Sequence, residues 1–283
     1  MKIRFGGLVG GRGPTRLLAV SAIALLSYSG AAHAELLSAG TFKNLTYEQV
    51  GATTTSTGGF FNAGAEENAV GDFAAATLTV NGGLSTSLPL SGTEFGISPS
   101  FSTQAAMDSA YPFGTYVISL SGGTDGPVSV TLNYSADGYT ADIPALTLPS
   151  YDALQGLSTS LSALTLDFNS FTPNALATTA FTFFTIFDSD QSCDFLAPTS
   201  TSCTIDPSAL TADTTYNYEL DFSDRIEATV DGALVYTDFD VRTDGTFTTA
   251  AAVPEPASLP MFLTGLGLMG AALYFGRKKG MAG

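Results

Sequence analysis

The chain has 283 residues, 10 Lys and Arg against 26 Asp and Glu, a formal net charge of −16 and 45% hydrophobic residues. A chain this apolar can bury a packed core, which excludes a disordered acidic protein. Nucleic acid is excluded as a partner, because phosphate binding needs clustered Lys and Arg. Two cysteines are too few for a disulfide scaffold.

Lys2, Arg4, Arg12 and Arg16 precede an apolar run from Leu17 to Tyr28, and small residues follow to Ala32-His33-Ala34. A positive start, a short apolar middle and an A-x-A exit predict a secretory signal peptide over residues 1–34, cleaved between Ala34 and Glu35. The apolar run is too short to span a bilayer comfortably. The exported body, Glu35 to Ala250, carries three basic residues (Lys43, Arg225 and Arg242) against 25 acidic ones, a net charge of −22. Such a body repels anionic lipids and polyanions, so its charged partners are expected to be cations.

Within the body the pattern has period two. Leu78 and Val80 alternate with Thr77 and Thr79, and Val128, Val130, Leu132 and Tyr134 alternate with Ser129, Thr131 and Asn133. Leu164, Leu166 and Phe168 continue the pattern, as do Tyr216, Tyr218, Leu220 and Phe222. One-sided apolar faces of this kind are half-buried antiparallel strands. Phe181 to Phe187, apolar on both faces toward its end, reads as a central strand. Ile226 to Val230, then Asp231-Gly232, then Ala233 to Tyr236 is a hairpin on a type I′ turn, with Val230 facing Ala233 and Ala228 facing Val235. Helix signals are few: Thr103 to Ala110, Ser150 to Gly156 with Ser150 as cap and Gly156 as stop, and one turn at Asp206-Pro207. About ten to fourteen short strands predict an all-β fold, a jelly-roll-like antiparallel β-sandwich over residues 35–250. It is either one domain or two smaller sandwiches divided near Ser135 to Ser150. Thr246 to Pro256 is expected to be a flexible tether.

The only histidine, His33, leaves with the signal peptide. The mature body therefore lacks Ser-His-Asp and Cys-His catalysis and His-ligated metal. No G-x-S-x-G, Walker or dinucleotide fingerprint is present. A non-enzymatic protein without a cofactor is expected. Cys193 and Cys203, ten apart in an exported chain, are expected to form a disulfide. Asp188, Asp190, Ser192 and Asp194 place oxygen donors on alternate residues, similar to the start of a calcium loop, so Ca²⁺ is the one candidate ion. Cys193 and Thr199 stand where such a loop carries Gly and Glu. Asp238, Asp240 and Asp244 form a weaker cluster. Tyr151, Tyr216 and Tyr236 are either sugar-stacking platforms or core residues. With so many carboxylates in the body, the sequence singles out no pair for glycoside hydrolysis.

At the other end, Val253-Pro254-Glu255-Pro256 lies in a linker over residues 251–258. An uncharged apolar run over 259–275 follows, then a basic tail over 276–283 with Arg277, Lys278 and Lys279. The run is long enough for one transmembrane helix, and the tail is expected to stay cytoplasmic. The three parts in order resemble the PEP-CTERM sorting signal of Gram-negative bacteria. The segment from Pro144 to Asp188 also looks similar to stretches of other PEP-CTERM proteins of unknown function. The resemblance implies an inner-membrane-anchored precursor, processing by an exosortase near Pro-Glu-Pro, and delivery to the outer cell surface or extracellular matrix. It further implies an association with exopolysaccharide and biofilm, in a binding or structural role. The alternatives are a carbohydrate-active hydrolase or lyase, or a calcium-dependent carbohydrate-binding module.

Overall fold

The computed structural model describes residues 36–252 other than 84, 124–126 and 135. The signal peptide, the sorting motif at Val253 to Pro256, the transmembrane run and the basic tail with Arg277, Lys278 and Lys279 lie outside these residues. Among the described residues, no helix is long and apolar enough to cross a membrane.

Two hairpins of unusual length form the frame. β1 (Leu36–Val50) and β2 (Thr53–Glu67) turn at Gly51, whose φ of 63° favours glycine. β14 (Thr215–Val230) and β15 (Ala233–Thr248) turn at Asp231-Gly232, both at positive φ as a type I′ turn requires. Val230 pairs with Ala233 and Ala228 with Val235, the register that the Asp-Gly turn implied. β1 runs parallel to β15, from Ser38 opposite Leu234 to Glu48 opposite Asp244, and so joins the two ends of the body. β11 (Thr179–Ile186) and β12 (Ser192–Leu196) extend the sheet on one side, and β6 (Glu94–Ile97), β5 (Leu90–Ser91) and β7 (Ser100–Phe101) on the other.

One face of this nine-stranded sheet is covered twice. A four-stranded antiparallel sheet lies over part of it, built from β4 (Ser85–Leu88), β3 (Ala75–Val80), β8 (Gly114–Ser121) and β9 (Val128–Tyr134). Its Ile118, Leu120, Val130 and Leu132 belong to the same core as Phe61 and Ala63 of β2 and Phe239 of β15. A smaller cover lies over the rest, from β10 (Leu164–Asp167), β13 (Ser202–Ile205) and α2 (Leu148–Leu154). Here Leu154, Leu166 and Ile205 share a core with Phe184, Tyr218, Leu220 and Phe247. The result is an all-β, sandwich-like body whose second layer is in two pieces. The connection between the pieces is anchored by Gln49, which donates to the Leu146 carbonyl at 2.8 Å and accepts from the Leu146 N–H at 2.9 Å.

Two expectations need correction. α2 begins at Leu148 with Thr147 at its cap position; the Ser150 hydroxyl instead accepts from the Asp167 N–H at 2.7 Å. Gly156, at φ 70°, does stop it. Thr246 to Thr249 is no tether: Phe247 is core, and the Thr249 hydroxyl donates to the Thr211 carbonyl at 2.7 Å. α1 (Gln104–Ala110) is capped by Thr103, which accepts from the Ala106 N–H at 3.1 Å. The turn at Pro207–Ala209 is capped by Asp206, as Asp-Pro suggested. Lys43 is a basic residue on the core-facing side of β1. It is fully buried, paired with Asp108 at 2.7 Å, and lies 4.5 Å from the Phe113 ring centre.

The Cys193–Cys203 disulfide forms, with Cα atoms 6.0 Å apart. It ties β12, at the edge of the large sheet, to β13 in the layer above. A Cys193→Ser, Cys203→Ser double variant is expected to lose about 2–3 kcal/mol of stability in urea unfolding, from the entropy of the freed loop. The wild-type chain in reductant should fall to the same midpoint, and an unchanged midpoint in both would show that the staple is idle.

Candidate functional site

The face of the large sheet turned away from both cores is polar where a sheet face open to solvent is expected to be, yet much of it is buried. Along β14, Glu219, Asp221, Ser223 and Arg225 alternate with core residues; β15 sets Asp244, Arg242, Asp240 and Asp238 opposite them in register. β1 adds Glu48, Asn44 and Phe42 beside Asp244, Asp240 and Asp238, and β11 adds Phe183 and Phe181 beside Asp221 and Ser223. These residues line a groove of about 950 Å³.

The cations of the groove are already spent within it. Arg225 grips Asp238 with two hydrogen bonds, Nε to Oδ1 at 2.8 Å and Nη2 to Oδ2 at 2.7 Å. Its guanidinium lies 4.5 Å from the Tyr236 ring centre and 5.0 Å from that of Phe181. Arg242 reaches Glu219 and Asp244, both at 2.9 Å, and sits 5.5 Å from the Phe60 ring centre. Asp221 and Asp240 have no such salt bridge. Each is 8% exposed, and one carboxyl oxygen of each has no hydrogen-bond partner. Burial pushes the Asp240 carboxyl up to about 8, with the Asp238 charge adding to it, while a hydrogen bond with Ser223 opposes the rise. Burial and the nearby Asp240 push Asp221 well above the carboxylate range. Burial raises Asp238 too, and the Arg225 fork draws it part of the way back.

Aromatic rings form the wall beside these carboxyls. Phe181, Phe183 and Phe195 meet edge to face, with centroids 4.8 to 5.3 Å apart. Phe195 and Phe187 also line the groove and stay 48% and 41% exposed. Phe195 has φ 53°, a conformation that a bulky residue rarely adopts.

The calcium loop anticipated at Asp188, Asp190 and Asp194 is not assembled. Among the described residues, no group of three or more His, Cys, Asp and Glu could hold a metal ion. Asp188 sits in the β11–β12 turn at φ 57°, and Asp194 lies on β12, lining the groove. Asp190 lies in the same connection as Asp188, and Asp194 falls in the strand that follows it. In the second cluster, Asp238 and Asp244 are paired with arginines and only Asp240 is left. Tyr216 belongs to the second core at 7% exposure, Tyr236 is 1% exposed and packs against Arg225, and Tyr151 packs against the second core. The exposed aromatics of the groove are Phe187 and Phe195. One signal could have located the groove: counting back from Asp231-Gly232 pairs Arg225 with Asp238 and Asp221 with Arg242.

Fold and site together define an all-β, sandwich-like body with a ligand-sized, acidic, aromatic-walled groove on its outer face. The PEP-CTERM protein-sorting motif matches residues 252–279, so the chain carries the sorting signal of an exported, surface-directed protein. No curated protein matches the chain in sequence. Among solved structures it is similar to the BSP domain of a biofilm-associated protein, at 16% identity over 68% of this chain and 28% of that one, with a TM-score of 0.20. It is similar to the FN1–FN3 domains of chicken CNTN1, at 9% identity over 74% of this chain and 65% of that one, TM-score 0.26. A bacterial ice-binding adhesin is also similar, at 14% identity over 76% of this chain and 66% of that one, TM-score 0.23. The chain thus spans little more than a quarter of the first of these and about two thirds of the other two.

Proposed function

We propose that this is a non-enzymatic surface or matrix protein of a Gram-negative bacterium, anchored in the inner membrane until exosortase cuts near Pro254-Glu255-Pro256, which then binds exopolysaccharide through the outer-face groove. The observation that carries the proposal is the groove itself. Its polar floor and exposed rings on the wall suit sugars, whose hydroxyls need partners and whose ring faces stack on aromatics. It works without a cofactor. Two measurements test the proposal. In cells lacking exosortase the chain should keep its tail and fail to reach the surface, and unchanged delivery would refute the sorting claim. On a glycan array the purified full chain should bind polysaccharide, and Phe187→Ala with Phe195→Ala should weaken that binding at least tenfold.

A second reading, a carbohydrate-active hydrolase or lyase, is favoured by the raised carboxyls of Asp221 and Asp240, since a glycosidase acid needs such a shift. Turnover on a polysaccharide panel, abolished by Asp221→Asn or Asp240→Asn, would select it.

A further inference from the structure

We infer that the groove takes a glycan bearing free primary amines, its ammonium group seated against Asp221 and Asp240 and its sugar rings on Phe187 and Phe195; this rests on the reading of the groove as a glycan site. Both arginines of the groove are engaged by Asp238, Glu219 and Asp244, so an anionic uronate chain would meet carboxylates without a free cation. Of the groove's carboxyls without a salt bridge, Asp221 and Asp240 each keep a buried oxygen with no hydrogen-bond partner. An ammonium group brings three donors and no acceptor, and so satisfies carboxyl oxygens without presenting a lone pair to them. Ca²⁺ suits the site poorly, because it takes six to eight oxygens and no third acidic ligand is in place. The neighbouring rings already pack on cations: Phe181 and Phe60 lie 5.0 Å and 5.5 Å from guanidinium groups.

A proton balance follows. The charged groups that line the groove with Asp221 and Asp240 are Glu219 and Arg225 on β14, Asp238, Arg242 and Asp244 on β15, Glu48 on β1, Asp188 in the β11–β12 turn and Asp194 on β12. Burial among them raises both carboxyls, that of Asp240 to about 8, so Asp240 holds its proton near neutral pH. To pair with an ammonium ion, an engaged carboxyl gives its proton to solvent and becomes a carboxylate. Binding at pH 7 should therefore release protons.

The test is calorimetry of the full chain at pH 7 in two buffers of different ionisation enthalpy. The probes are oligomers of glucosamine, of N-acetylglucosamine and of a uronic acid, and a lysine homopeptide. Glucosamine oligomers are expected to bind at least tenfold tighter than their N-acetylated counterparts, with proton release, and the uronate should not bind. An Asp221→Asn, Asp240→Asn double variant should lose at least tenfold in affinity and all proton release. Its urea midpoint checks that it is folded, and Phe195→Ala gives a second variant that should weaken amine binding without touching the carboxyls. Equal binding of the amine and N-acetyl forms would overturn the amine inference and leave the glycan site standing. Binding of no glycan at all would overturn both, and a lysine peptide bound as tightly as the amino sugar would point to a protein partner instead.

Discussion

Arg225→Ala is expected to destabilise the body by about 3–5 kcal/mol, because it strands a buried charge. Asp238 is 1% exposed, and Arg225 supplies both of its close hydrogen bonds. The truncation removes the cation and also the guanidinium plane packed between Tyr236 and Phe181. The cost comes from leaving one partner behind, not from the intrinsic worth of the pair. Arg225→Met combined with Asp238→Leu, which removes both charges and keeps the volume, should recover most of the loss. Urea unfolding of Arg225→Met, Asp238→Leu and their combination measures this as a double-mutant cycle. A single variant as stable as wild type would mean that Asp238 is not desolvated as the structure places it.

Stability is expected to fall as pH rises from about 5 to about 8, the reverse of a protein held by ionised carboxylates. Asp240 titrates near pH 8 in the fold against an ordinary value of 3.8, and Asp221 is shifted in the same direction. Below the ordinary value, folded and unfolded chains both hold these protons and the full stability is present. Between the two values only the unfolded chain gives them up, so unfolding gains up to about 1.4 kcal/mol per pH unit for each site. Above pH 8 the loss from Asp240 is complete. Asp224, pushed up to about 6 by burial, adds the same sign over a narrower window. A net loss on the order of 3 kcal/mol between pH 5 and pH 8 should appear in urea midpoints. Asp240→Asn should flatten the profile and raise stability at pH 8. A wild-type midpoint that climbs with pH would contradict the burial of these carboxyls.

These two results bear on the same surface, and it is the surface least visible in the sequence. Alternation along Tyr216 to Phe222 identified the core side of β14 correctly, and the half-buried strand it implied leaves Asp221 on the open face. That inference holds only for a strand with an open outer face. Here β11 and β1 set Phe181, Phe183 and Phe42 beside the short acids, which are buried on that face. The acidic motif that did attract notice, at Asp188 to Asp194, has the spacing of ligands in a loop but falls across a tight turn and a strand. Tyr216 and Tyr236 could be read either as sugar platforms or as core, because an aromatic at strand spacing says nothing about which side is covered.

Local chemistry by itself determined the elements whose partners are near in the chain. The Asp231-Gly232 turn, the Thr103 and Asp206 caps, β9, the Phe-rich β11, the Cys193–Cys203 link and the sorting motif at 252–279 each rest on short-range sterics, hydrogen bonding or a contiguous signal. Only the tertiary structure decided the parallel pairing of β1 with β15, the two-piece second layer, the buried Lys43 and the groove. Each of these brings together residues far apart in sequence. Burial there, and with it the protonation of Asp221 and Asp240, depends on which neighbours arrive, and a period-two pattern assigns residues to faces without saying what covers each face.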